Sequence, residues 1–415
     1  MNNPEKFESS FIYQRSLHSK GKWPYQTEVH AQANELIPQL CKVPYDYMFK
    51  ENPVAMAEGM LLVWEYIGVD LLATYLDVYN FEAESIGAKL NFYEDHIPDI
   101  DRSDFLIKSE TDLDKIKWNG VKSGRFPYLI DFYKAVANYT GYEAFPLFCA
   151  PWSLASNIYG LENLIVAAMT DPGFVHEMLR RIIDDLQAPM YRELNEILPG
   201  LRTADLVDAW CSPPMVTYEL VSEFLLPYLE RLSEKIGIEG VVAADGGLWG
   251  ASLYTGEMRE KYLELTVKAG GNLAVASYDP DVEIIGPRTL RRYADKCGLP
   301  LTLGYGAAKL QLRSAAEIAE DIKEYTLAGK DGNTPSVLFL NSIGPHTLPD
   351  KIHTAVASAK IYGAVGTDAD TPFSPPVRES FEEFLKGKIA DNKEGYTFQW
   401  LEKSGYSYLK GDKDN

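Results

Sequence analysis

The segment LPLTLGYGAAKLQLRSAAEIAEDIKEYTLAGKDGNTPSVLFLNSIGPHTLPDKIHTAVASAKIYG, residues 299–363, decides the fold class. It opens with a short continuous apolar run, LPLTLG (299–304), followed by a stretch with helical spacing, SAAEIAEDIKEYTLAG (314–329). A second apolar run, SVLFLN (336–341), and a second helix, PDKIHTAVASAKIYG (349–363), repeat the pattern. Apolar runs of this length without alternation suit strands covered on both faces, as in a parallel sheet.

The same pairing extends towards the N-terminus. Helix PVAMAEGMLLVWEYIG (53–68) carries Pro near its first turn and leads into the strand 69–76 and then Asp77. PLFCAPW (146–152) reads as a buried strand, with helices from Leu161 and from the Asp171-Pro172 cap. Strands follow at TADLVDAW (203–210), GVVAAD (240–245) and LAVAS (273–277), each with a helix behind it. Seven strand–helix units predict an α/β protein built as a closed (β/α)8 barrel over residues 51–390, with an open doubly wound sheet as the fallback. Residues 1–50 show no clear period and are expected to form an N-terminal extension packed on the barrel. Residues 391–415 form a C-terminal tail whose last ten residues are expected to be mobile.

Composition narrows the function. The chain has 415 residues, with 40 Lys plus Arg against 60 Asp plus Glu and a formal net charge of −20. That balance argues against nucleic-acid phosphates and anionic lipid as partners. No apolar stretch is long enough to span a membrane, and MNNPEKFESSFIYQRS lacks the apolar segment of a signal peptide. The four cysteines (Cys41, Cys149, Cys211, Cys297) are far apart, which excludes the common thiolate zinc modules and suits a reducing cytoplasm. There is no glycine-rich nucleotide loop of either standard spacing.

In a barrel of this type the site lies at the C-terminal strand ends. Asp77 and Asp245 end two strands there, and two carboxylates projecting into one mouth would repel. One would then keep a proton as an acid, or the pair would hold a cation. His346, in the turn GPHTLP, is the third catalytic candidate. Tyr75, Tyr79, Trp152, Asn157, Trp210, Tyr278, Tyr305 and Ser342 lie in or beside strand ends and are the candidate substrate-binding residues. Aromatic walls with few cations suit a flat, weakly charged ligand such as a methoxylated aromatic. Asp245 is the best candidate metal ligand, followed by Cys211 and His346. Glu82 and Glu84 read as a solvated helix face.

Five segments in order resemble the uroporphyrinogen decarboxylase superfamily: VDLLATYLDVYNFEAESIGAKLNFYED (69–95), PLFCAPWSLASNIYG (146–160), VDAWCSPPMVTYELVSEFLLPYLERL (207–232), 301–322 and 338–363. The resemblance implies a (β/α)8 barrel and two chemistries. For tetrapyrrole decarboxylation the acidic residue is retained at Asp77. The family's tyrosine, serine and histidine fall near Asn157, Ala209 and Ser342, and its arginine-bearing N-terminal motif does not occur. The other branch holds corrinoid-dependent methyltransferases, many with zinc on a His-x-Cys pair and a distant Cys. Those positions fall near Ala243, Asp245 and Ser342, which leaves a divalent metal such as zinc only Asp245 from that set. The resemblance therefore points to a methyltransferase that demethylates a small compound, for instance by O-demethylation, and passes the methyl group to a corrinoid protein. Decarboxylation of a small or tetrapyrrole acid, and a non-catalytic binding subunit, are the alternatives. Barrels of this family are often dimers, so a homodimer is expected.

Overall fold

The computed structural model describes residues 27–74, 76–77, 80–141, 146–198, 205–236, 242–243, 248–272 and 274–410. Its strands are β1 (Glu28–Ala31), β2 (Leu71–Leu72), β3 (Leu90–Asn91), β4 (Asp99–Ile100), β5 (Leu147–Cys149), β6 (Asp205–Val207), β7 (Val242–Ala243), β8 (Val275–Tyr278), β9 (Leu301–Gly306) and β10 (Ser336–Asn341). All but the antiparallel pair β3–β4 run parallel. They fall into a sheet ordered β2-β1-β10-β9-β8 and another ordered β5-β6-β7. The α/β class with parallel strands is as the sequence predicts. Among the described residues no ladder joins β2 to β5 or β7 to β8, so the closed ring of strands expected from the sequence is here two arcs.

Buried carboxylates stand at both breaks. Glu82, after β2, accepts the backbone N–H of Cys149 in β5 at 2.6 Å. Asp281, after β8, accepts the N–H groups of Gly250, Ala251 and Ser252 at 2.6, 2.9 and 3.1 Å in the loop after β7. Side-chain acceptors thus take amides that strand pairing leaves open, as buried N–H groups require.

One strand escaped the sequence reading. Glu28–Ala31, inside the segment expected to be an extension, lies between β2 and β10, with His30 opposite both Leu71 and Phe339. The seven expected strands all appear: β10 with the expected bounds, β9 at the expected length two residues further on, and the other five shorter. Helix Pro53–Ile67 begins where Asn52 accepts from the Ala55 N–H at 2.9 Å and ends at Gly68, φ +73°. Helix Ala315–Lys330 starts with the Ser314/Glu317 capping box. In β9, Gly304 sits against the Tyr278 ring so closely that any Cβ there would clash.

The C-terminal segment is anchored. Tyr396, Phe398, Trp400, Leu401 and Tyr406 are buried, which overturns the expected mobility for Tyr406, while residues 411–415 lie outside the described set. Glu58, fully buried in helix Pro53–Ile67, accepts from the N–H groups of Thr397 (2.6 Å) and Phe398 (3.0 Å) and from the Tyr139 hydroxyl (2.6 Å).

Candidate active site

A cavity of about 460 Å³ opens at the C-terminal ends of β1, β2, β6 and β10. Its wall comes from both arcs. Gln32, Asn34 and Glu35 follow β1, Asp77 and Asn80 follow β2, and Ser342 and Ile343 follow β10. Asn157 and Trp210 belong to the smaller arc, and the loop His96–Asp99 with Arg102 closes the remaining side.

The floor is polar and buried. Asp77 is buried, and its Oδ2 accepts from Arg125 Nη2 at 2.5 Å, while its Oδ1 accepts from Asn80 Nδ2. Burial raises the Asp77 carboxyl above its ordinary range, against the opposing pull of Arg125 and Asn80. Arg125 also donates to Glu84 (2.7 Å) and to the Phe49 carbonyl (2.8 Å), and its guanidinium lies over the rings of Phe81 and Phe92 at 4.6 and 4.8 Å. One planar cation therefore serves two carboxylates, a carbonyl and two aromatic faces, which its fork of donors permits.

Behind the floor lie two further acids. Glu82 is fully buried, with one oxygen on the Cys149 N–H and Oε2 without a partner, and burial pushes its carboxyl up to about 8. Asp208 accepts from the N–H (2.8 Å) and hydroxyl (2.7 Å) of Ser153 and is raised by burial to about 6. The reading of Glu82 and Glu84 as a solvated face is thereby corrected: helix Phe81–Ser85 turns the first into the core and the second onto Arg125.

At the mouth, the Arg102 guanidinium lies 4.9 Å from the Trp210 ring and pairs with Asp99 at 3.1 Å. His96 stacks on Tyr93 with ring centroids 3.7 Å apart. Burial raises Glu35, and the charges of His96 and His346 pull it back; His346 is exposed and does not line the cavity.

The structure thus brings together Asp77, Asn157, Trp210 and Ser342 from the sequence candidates. Trp152 is fully buried and donates to the Trp210 carbonyl at 2.9 Å, so it supports the wall from behind. Tyr305 is fully buried with its hydroxyl on Asp321 (2.8 Å), in the layer between strand and helix. Tyr278 packs edge-on against Phe339, at 5.9 Å between ring centroids, and does not line the cavity. Cys211 is buried, its Sγ donating to the Asp208 carbonyl at 2.6 Å, and burial holds the thiol well above its usual range. Asp245, Tyr75 and Tyr79 lie outside the described residues. Sequence reasoning missed Glu35, Arg102 and Arg125, because none sits at the end of a recognisable strand, and passed over Asn80, beside the strand 69–76, for the aromatic Tyr79.

Among the described residues no group of three His, Cys, Asp or Glu side chains is arranged to hold a metal ion. Among the described residues this donor set does not fit a thiolate zinc centre, since buried Cys211 belongs to no such group and its Sγ lies on the Asp208 carbonyl. Likewise, no described helix is long and apolar enough to cross a membrane.

Comparison with known proteins agrees with this geometry. The family profile Uroporphyrinogen decarboxylase (URO-D) matches residues 46–297. A methylated-thiol–coenzyme M methyltransferase from Methanosarcina mazei is 26% identical over 185 residues, 44% of this chain and 48% of the relative. The chain therefore spans about half the length of the curated relative it matches. Among solved structures, a methyltransferase from Methanosarcina mazei superposes with a TM-score of 0.61 at 15% identity, covering 84% of this chain and 98% of that one. Likeness at that identity speaks for the fold alone.

Proposed function

The chain belongs to the uroporphyrinogen decarboxylase family, and from that premise we propose that it is a methyltransferase that demethylates a small compound and hands the methyl group to a corrinoid protein. The observation that carries the reading is the buried Asp77–Arg125 pair at the floor of a cavity whose mouth is walled by Trp210. The name of the similar sequence, a methylated-thiol–coenzyme M methyltransferase, supports the same branch. We read the eight parallel strands, in the ring order β1-β2-β5-β6-β7-β8-β9-β10, as the staves of one (β/α)8 barrel opened along two seams.

Methyl transfer needs the donor held in line with the acceptor and the leaving heteroatom stabilised. The cavity divides these tasks. Trp210 supplies a flat face for the donor, and the loop His96–Asp99 walls one side of the cavity. Asp77, whose carboxyl is raised by burial against the pull of Arg125, is the group placed to donate to the departing heteroatom when protonated. The carboxylate left behind is compensated at once by Arg125, so the proton transfer ends in a stabilised ion pair. A corrinoid carried by a partner protein would accept the methyl group at the mouth, beside Trp210 and Arg102.

Decarboxylation of a tetrapyrrole is disfavoured by the same wall. Glu35, Asp77 and Asp99 line it, while Arg102 and Arg125 are already paired with carboxylates of this chain. A ligand bearing many carboxylates would meet repulsion there.

The test is direct. The purified chain is mixed with a panel of aryl methyl ethers, methylated amines and methylated thiols and a reduced corrinoid protein, and the corrinoid's absorption is followed. A change to the methylated form with one donor class supports the proposal; none across the panel sinks it.

A further inference from the structure

We propose that Asn80 Oδ1 accepts a hydrogen bond from an O–H or N–H group of the substrate, so that the cavity selects methylated compounds carrying such a donor. The inference deepens the reading above and rests on it.

The orientation of the Asn80 amide is set by its neighbours. Its Nδ2 donates to the Pro98 carbonyl at 3.1 Å and to Asp77 Oδ1. A carbonyl oxygen only accepts, so the nitrogen must face it and the oxygen is directed elsewhere. That oxygen is buried and has no partner among the described residues, in a residue only 3% exposed that lines the cavity. A buried acceptor without a donor is costly, and a ligand that brings the donor recovers the cost. Sites built this way discriminate strongly against analogues that lack the group, because the analogue leaves the protein's own polar atom unpaired.

The position makes the donor part of recognition at the reacting end. Asn80 and Asp77 are joined by a hydrogen bond at the buried floor, whereas Arg102 and Ser342 lie at the exposed mouth. A donor that reaches Asn80 therefore sits close to the heteroatom that Asp77 serves. Two chemistries offer this: a hydroxyl beside an aryl methyl ether, and the N–H of a methylated ammonium ion. The Trp210 ring accommodates either, by stacking or by cation–π attraction.

Equilibrium titration calorimetry on the full chain, with no corrinoid and no methyl acceptor, separates them. The probes are two matched pairs: guaiacol against veratrole, and trimethylammonium against tetramethylammonium. In at least one pair the donor-bearing member is expected to bind roughly tenfold tighter or more, and the pair that discriminates identifies the source of the donor. In Asn80→Ala, checked for a cooperative melt, the ratio should fall to within about twofold. Should that variant not fold, the wild-type ratios decide alone. Equal affinities within both pairs, absence of binding by all four compounds, or a ratio preserved in folded Asn80→Ala would overturn the proposal. Because the readout is binding, a failure of methyl transfer leaves this result standing, and the reverse also holds.

Discussion

Arg125 reaches Asp77 at 2.5 Å from the residue just before helix Phe126–Thr140, and it is the only partner of Asp77 that carries a positive charge among the contacts of the described residues. Both side chains are buried, so each is the other's main compensation for lost hydration. Arg125→Ala should therefore destabilise the fold by about 3–5 kcal/mol near neutral pH. Asp77 would respond by keeping its proton, so the loss should shrink as pH falls. Urea unfolding of the variant at acid and neutral pH checks this. A loss independent of pH would mean that packing on Phe81 and Phe92, not charge, is the role of Arg125.

Asp77→Asn tests the chemistry rather than the fold. The amide keeps an oxygen for Arg125 but cannot deliver a proton. Methyl transfer should drop by roughly 10²–10⁴-fold, with substrate binding little changed. An unchanged rate would remove Asp77 from its role as acid.

Glu82 carries a dependence on pH of definite sign. In the folded chain its carboxyl keeps a proton up to about 8, whereas its ordinary value is 4.5. Between those values the native state binds the extra proton, so stability falls as pH rises through the window, by at most about 1.4 kcal/mol per unit. Glu82→Gln keeps an oxygen for the Cys149 N–H and cannot ionise. Its melting temperature should fall less steeply than wild type between pH 5 and pH 8, most visibly at the alkaline end. Parallel curves would show that Glu82 does not titrate there.

What the sequence made legible follows from periodicity. Helices Pro53–Ile67, Pro172–Arg181 and Ala315–Lys330 were readable because spacing and caps coincide. EVHA of β1 hid because its alternate residues, Glu28 and His30, are polar and only half-buried. Strand ends located Asp77 and Trp210, yet they do not tell which face a side chain takes. Tyr305 faces the helix layer and Trp152 the core. Arg102 comes from the loop after β4 and Arg125 from the residue before helix Phe126–Thr140, places that a search of strand ends does not reach. The pairings that bring them to Asp77 and Trp210 span long separations that a linear reading does not register.

The Arg102–Trp210 stack is half-exposed, as is the pairing of Arg102 with Asp99. Contacts of this kind add under about 1 kcal/mol to stability, so Arg102→Ala should melt close to wild type. It should, however, uncover one face of the indole. Acrylamide quenching of tryptophan fluorescence should increase in Arg102→Ala, and the increment should vanish in the Trp210→Phe background. An increment that survives without Trp210 would place the effect on another tryptophan.

Glu58 joins the C-terminal segment to the core by three hydrogen bonds on one carboxylate. Glu58→Ala removes the acceptor and leaves three donors, two of them backbone amides, in a site closed to water. A cost of about 2–4 kcal/mol is expected from unpaired buried donors. Where the cost is realised depends on the aromatic anchors beyond: Trp400, Leu401 and Tyr406 remain buried without help from Glu58. If they hold, the loss is global and the amides of Thr397 and Phe398 exchange only through full unfolding. If they release, those amides exchange far faster than the amides of β9 and β10, and the segment detaches as a unit while the sheet persists. Aromatic burial of this extent favours the first outcome, because five apolar side chains contribute more than the lost bonds. Hydrogen exchange on the variant, with Thr397 and Phe398 compared to Leu303 and Leu338, decides between them.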